Sequence, residues 1–167
     1  HFDAMALIGY LLGQTERIRI FPDVANLPLR PPAMLAKEAA TLDQLSEGRL
    51  ILGLGTGYLK SEFHALGVDP GNRRERFEEA LQLILRAWTE PQPFGWLGRF
   101  YEYRTVAIWP RPIQQPHPPI FMSGSSPESG ELAARHRLHL GLAFTTVPLA
   151  REAARYDMGE RIREIEQ

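Results

Sequence analysis

No cysteine occurs in this chain. That absence excludes disulfides, thiolate nucleophiles and Cys-ligated metals, and it leaves the compartment open. An excess of charge is missing too: 19 Lys and Arg against 20 Asp and Glu give a formal net charge of −1. Without a basic face there is no electrostatic footprint for nucleic acid, and no such partner is expected. Long apolar runs are also lacking. The longest, residues 4–12, contains Gly9 and Tyr10 and falls short of the roughly 20 residues that span a bilayer. The first residues carry neither a basic stretch nor a small-residue cleavage site, so no membrane partner and a cytoplasmic location are expected by default. The histidines, His1, His64, His117, His136 and His139, never pair at i, i+4, and no carboxylate cluster completes a ligand set. Surface or loop positions are expected for them, and no metal site.

What is present describes an ordinary globular chain. Its 167 residues, 44% hydrophobic and 23% charged, suffice to bury a core. Helix and strand patterns alternate. Residues 5–14 are apolar and helical in character, and the alternation RIRIF at 17–21, with Val24, reads as a strand. Met34, Leu35, Ala39, Leu42 and Leu45 recur at helical spacing over 31–46, with Pro31 or Pro32 suited to the first turn and Gly48 to the C-cap. The continuous apolar run 49–54 suits a parallel strand covered on both faces. A short helix at 61–66 and a long amphipathic helix at 73–88 follow, the latter opening on the charged run RRERFEEA, which reads as a solvated face with charge pairs.

Residues 94–109 alternate aromatic and polar side chains around Gly98, a hairpin-like excursion in which Trp96 and Trp109, like Trp88 before them, are expected to pack. Residues 110–119 hold five prolines and must run as an extended connector. A strand at 120–123, a helix at 127–137, a strand at 139–145 and a helix at 149–166 complete the pattern. Strand-then-helix alternation argues for an α/β fold with a parallel sheet. A doubly wound sheet could be built from these elements, yet the long connectors and polar loops suit a TIM (β/α)8 barrel better. Such a barrel takes about 250 residues, so a partial one is expected, incomplete at both ends. The whole of 1–167 is expected to be one domain, with 94–119 as hairpin and Pro-rich connector within it.

Two segments carry candidate chemistry. Residues 124–129, GSSPES, join a short apolar strand to a helix. Ser125 with Glu128 fits a capping box, and Ser126 before Pro127 fits an N-cap and N1 pair. The same turn would offer hydroxyls, free N–H groups and the positive end of a helix dipole to an anion. At 53–58, GLGTGY, a dinucleotide fingerprint requires a third glycine where Tyr58 stands and a helix opening at once, and neither is found. The glycines otherwise read as a tight turn at a strand end, or as room for a cofactor's close approach.

Four segments together resemble the bacterial luciferase-like monooxygenase family, the flavin- or F420-dependent TIM-barrel oxidoreductases. They are TERIRIFPDVANLPLRPP (15–32), LAKEAATLDQLSEGRLILGLGTGY (35–58), FEEALQLILRAWTE (77–90) and GRFYEYRTVAIWPRPIQQPHPPIFMSGSSPESGELAARH (98–136). The resemblance implies a chain spanning about strands 3 to 6 of the barrel. It implies FMN or coenzyme F420 at the C-terminal mouth, with Gly124, Ser125, Ser126 and Ser129 toward its phosphate and Gly55, Thr56 and Tyr58 lining it. It also implies a non-proline cis peptide at Asp23–Val24 beneath the cofactor ring, with Asn26 close by. Luciferases proper carry an Arg where this chain has Thr56, and many members carry Gly-Thr-Gly-like residues where Phe21-Pro22-Asp23 stands.

The expected function is therefore a flavin-dependent oxidoreductase or monooxygenase acting on a small organic substrate, supplied by a flavin reductase or by F420. A homo-oligomer is expected from unpaired sheet edges. No catalytic acid or base can be named. Two alternatives stand beside it: a non-catalytic flavin-binding or dimerising partial barrel, and an unrelated α/β enzyme that binds a sugar phosphate at the serine turn.

Overall fold

The computed structural model describes residues 2–124 and 126–141. Their order is α1 (Ala4–Gln14), β1 (Ala25–Asn26), α2 (Pro32–Leu45), β2 (Leu52–Gly55), α3 (Lys60–Ala65), α4 (Arg73–Thr89), β3 (Phe94–Leu97), β4 (Glu102–Val106), β5 (Ile120–Ser123), α5 (Pro127–Arg135) and β6 (His139–Gly141). Strands β1, β2, β5 and β6 pair in that order, every pair parallel. β3 and β4 form a separate antiparallel hairpin. The expected helix at 149–166, and the end of the strand expected at 139–145, lie outside the described residues.

The register divides the sheet into two faces. Ala25, Leu54, Met122 and Leu140 are lateral neighbours, as are Leu52 and Ile120, and all are buried in one core with helix residues such as Leu35, Ala39, Phe77, Leu81 and Ile84. The opposite face carries Asn26 beside Gly55, Gly53 beside Phe121 and His139, and Ser123 beside Gly141. Period-2 alternation thus sends the aliphatic side chains under the helices and leaves the other side to glycines, polar residues and Phe121.

One expected strand is displaced. The RIRIF segment forms only an isolated parallel bridge, Ile20 to Leu50, and ladder pairing resumes at Ala25. Pro22 has no N–H to continue the ladder, so an alternating pattern could not be realised through it. The peptide between Asp23 and Val24 is cis, as the resemblance implied; Trp109–Pro110 and Gln115–Pro116 are cis as well.

Helix α2 takes Pro32 at its first position and ends before Glu47 and Gly48, both with positive φ (54° and 81°). Its buried Asp43 ties down the Pro-rich connector: the carboxylate accepts from the N–H groups of Ile113 (2.8 Å) and Gln114 (3.0 Å) and from the Gln114 amide (2.6 Å). Helix α4 packs on α2 through Phe77, Leu81, Ile84 and Trp88, and the Trp88 indole donates to the Ala36 carbonyl at 3.0 Å.

The charge pairs expected at the start of α4 are present, with Arg74 and Glu75 exposed, but they reach other elements, so the run is also a tertiary hub. Arg74 reaches Glu128, Arg76 donates to the Pro28 carbonyl and stacks on Phe100 and Tyr101, and Glu78 binds Arg135 and His136. Glu79 accepts from the Trp96 indole and from the N–H groups of Arg99, Phe100 and Tyr101. Trp88 and Trp96 pack as expected, while Trp109 is 65% exposed.

Candidate active site

All four parallel strands end on the same side of the sheet. Their order brings the ends of β1 and β2, with the glycine-rich segment, next to the end of β5 and its serine turn, while the cis Asp23–Val24 peptide immediately precedes β1. In α/β sheets this carboxyl edge is where ligands are held.

At the β1–β2 end, the glycines exist because other groups occupy the space a side chain would need. A Cβ on Gly55 would stand 2.3 Å from Val24 Cγ2 and 3.5 Å from Asn26 Oδ1; one on Gly57 would stand 2.8 Å from the Phe63 ring, and Gly57 has φ +74°. Val24, Asn26 and Gly55 are thereby gathered into one surface. Val24 and Asn26 also line an open cavity of about 450 Å³ with Ala25, Leu29, Leu66 and the ion pair Arg30–Asp3. Thr56 is half-buried. Asp23 is exposed and Tyr58 is 86% exposed, standing clear of the surface that gathers the other three.

At the β5–α5 end, Gly124 lies against Ser129: a Cβ on Gly124 would be 2.4 Å from Ser129 Cβ. Ser126 is the N-cap of α5, with Pro127 in its first turn, and its hydroxyl accepts from the Ser129 N–H at 3.4 Å. The local capping reading is thus realised with Ser126 as the cap. The Ser126 and Ser129 hydroxyl oxygens are 3.2 Å apart. The Ser126 hydroxyl also donates to the Glu128 carboxylate, which leaves the Ser129 O–H facing Ser126 Oγ. Ser125 lies outside the described residues. The Glu128 carboxyl is held below its ordinary range by the Ser126 hydroxyl first, then by its own backbone N–H and Arg74. The turn therefore contains a carboxylate already paired with a guanidinium at 3.4 Å.

Sequence reading passed over Asp3, Arg30, Glu62 and Arg74. Asp3 could have been found locally, since an Asp just before an apolar helical run is an N-cap signal, and its side chain does accept from the Ala6 N–H. The Arg30–Asp3, Asn26–Glu62 and Arg74–Glu128 contacts join residues 27, 36 and 54 positions apart, and no local pattern announces them.

Parallel strands alternating with helices, their carboxyl ends on one edge, are the arrangement of α/β barrels. The family model described as luciferase-like monooxygenase matches residues 1–165, and the chain belongs to that family. It is 34% identical over 136 residues to the FMNH(2)-dependent dimethylsulfone monooxygenase of Pseudomonas putida, covering 80% of this chain and 37% of that protein. Among solved structures it matches the oxygenating constituent of 3,6-diketocamphane monooxygenase from the CAM plasmid of Pseudomonas putida, in complex with FMN, at a TM-score of 0.82 and 23% identity, covering 97% of this chain and 48% of that one. An F420-dependent secondary alcohol dehydrogenase in complex with an F420–acetone adduct matches at a TM-score of 0.79 and 25% identity, over 95% and 50% of the two chains. The described sheet and helices are thus part of a TIM barrel, and the chain spans between 37% and 50% of these proteins' lengths.

Proposed function

We propose that this chain is the cofactor-holding part of a flavin-type oxidoreductase or monooxygenase, using reduced FMN or F420 on a small organic substrate. The observation that carries the reading is the family match over 1–165 combined with the convergence of the β1–β2 and β5 ends on one edge of a parallel sheet. Val24, Asn26, Gly55 and Thr56 are assigned to the ring, and Gly124, Ser125, Ser126 and Ser129 to the phosphate tail. Asp23, through its cis peptide with Val24, is assigned beneath the ring, and the exposed Tyr58 to its solvent side.

The residues present fit such a group. The apolar Val24 side chain and the half-buried Asn26 on the cavity wall suit a planar heterocycle, and the Ser129 hydroxyl can turn from Ser126 Oγ to a ligand. When bound, the cofactor supplies the redox chemistry, carrying a hydride or reacting with oxygen. The chain's own part is to hold it: the hydroxyls and first turn of α5 orient the phosphate, and Arg74 offsets the Glu128 charge beside them. With Thr56 in place of an Arg, that seat draws less on charge and more on hydrogen bonds. A flavin reductase as partner, a homo-oligomeric state and a cytoplasmic location, where reduced cofactor is regenerated, belong to the same proposal.

Fluorescence titration of the full-length protein with FMN, riboflavin and F420 tests it. Either FMN or F420 is expected to bind, and the double variant Ser126→Ala/Ser129→Ala is expected to weaken that binding roughly tenfold, the worth of one charge-assisted hydrogen bond. Riboflavin, which lacks the phosphate, should be unaffected by the double variant. Absence of binding by both cofactors would overturn the reading.

A further inference from the structure

Asn26 is the last residue of β1, on the sheet face that carries Gly55. Its amide nitrogen donates to the Glu62 carboxylate in the first turn of α3 at 3.1 Å. Its carbonyl oxygen lies over Gly55, and its Cγ lies 3.7 Å from where a Gly57 side chain would begin. The carboxamide thus stands beside the glycine-rich strand end, on the wall of the cavity. Among the described residues no donor reaches Asn26 Oδ1.

We propose that Glu62 is a positioning residue that fixes which way the Asn26 carboxamide faces, so that Oδ1 is presented as an acceptor to an N–H on the cofactor ring, the imide that FMN and F420 share. The inference rests on the flavin reading of this site. Its physical basis is an asymmetry of hydrogen-bonding types. An ionised carboxylate only accepts, whereas a carboxamide accepts at one end and donates at the other. Reversing the Asn26 amide would set its oxygen lone pairs against the Glu62 charge and forfeit the hydrogen bond. The orientation with Nδ2 toward Glu62 is the one that carboxylate allows, and it leaves an acceptor facing the strand end.

Glu62 itself is exposed, so in the free protein its bond to Asn26 competes with water. A ligand seated in the cavity against Asn26 would exclude that water and strengthen the charge-assisted bond, so that ligand and Glu62 act on the two ends of one amide. Glycine at 55 matters here for a second reason: any side chain would stand in contact with Oδ1 and cover the acceptor.

The test is a double-mutant cycle on cofactor affinity in the full-length protein, read by flavin or F420 fluorescence and by the visible absorption of bound flavin. Asn26→Ala and Glu62→Ala are each expected to weaken binding roughly five- to tenfold, the value of one directed hydrogen bond. Combined, they should weaken it no more than either alone, because Glu62 acts through Asn26. Glu62→Gln, whose amide can face Asn26 either way, should fall between wild type and Glu62→Ala. The absorption shift of the bound ring should diminish in parallel, while the thermal midpoint of Glu62→Ala, at an exposed position, stays at the wild-type value. Wild-type affinity in Glu62→Ala, or a full additional loss when Glu62→Ala is added to Asn26→Ala, would overturn the proposal while leaving the flavin reading intact. Failure of the wild-type protein to bind either cofactor would overturn both.

Discussion

Gly53 is buried, and a Cβ placed on it would fall 1.8 Å from the Pro22 carbonyl oxygen, a backbone atom that cannot turn aside. Gly53→Ala must therefore push the 21–24 segment off the sheet. We expect a loss of about 1–3 kcal/mol in denaturant unfolding, the usual range for overpacking, with weakened cofactor binding because Val24 moves too. The glycines at 53–57 were legible as a special stretch, but the reading as a tight turn gave the wrong reason at Gly53. What excludes a side chain there is a segment some thirty residues earlier in the chain. Asp3 offers a second test at this scale. The Ala6 N–H first, then the Arg30 side chain, hold its carboxyl below the ordinary value of 3.8. A carboxyl depressed on folding contributes stability that is fully present above its unfolded value and lost as pH falls through the folded one. Removing it with Asp3→Asn should lower stability at neutral pH by a small amount, since the pair is solvent-screened. The difference from wild type should begin to shrink as pH falls below about 4 and vanish only below the depressed folded-state value, as followed by parallel unfolding curves.

Among the elements, α4 shows how far local pattern carries. Its apolar stripe of Phe77, Leu81, Ile84 and Trp88 could be read directly, because burial of a helix face imposes a 3.6-residue period. Its charges could not, since a carboxylate has the same letter whether it faces water or caps a turn. Glu79 takes four donors from the hairpin, three of them backbone N–H groups of the turn between β3 and β4. Glu79→Gln replaces one acceptor oxygen with a donor aimed at N–H groups. It should cost about 1–3 kcal/mol and speed amide exchange at residues 99–101, while the parallel sheet keeps its protection. The strand expected at 17–21 failed for the complementary reason. Its alternation was genuine, yet Pro22 stopped the ladder, and pairing resumed only beyond the cis peptide.

For the molecule as a whole, parallel strands in the order β1-β2-β5-β6 place segments from three distant parts of the sequence on one edge. That convergence makes a site of motifs that are individually weak. The same arrangement leaves Leu7, Tyr10 and Leu11 of α1 exposed, together with Phe2 ahead of it. With our proposal of a homo-oligomer, light scattering coupled to size exclusion should give a mass at least twice that of a single full-length chain. The double variant Leu7→Glu/Leu11→Glu should lower that mass if α1 takes part in the interface. A monomeric wild type would remove oligomerisation from the proposal.

The sequence by itself determined the α/β class, the family, the helix spans among the described residues, the strand at 120–123 and the serine turn that caps the next helix. These depend on periodicity, proline and glycine chemistry and capping, all of which act within a few residues and are therefore written locally. Only the tertiary structure decided that Gly53 and Gly55 make way for Pro22 and Val24, that the 73–80 charges hold neighbouring elements, and that Glu62 faces Asn26. Each of these is a contact between residues far apart in the chain, and side-chain type alone does not state which partner the fold will bring within reach.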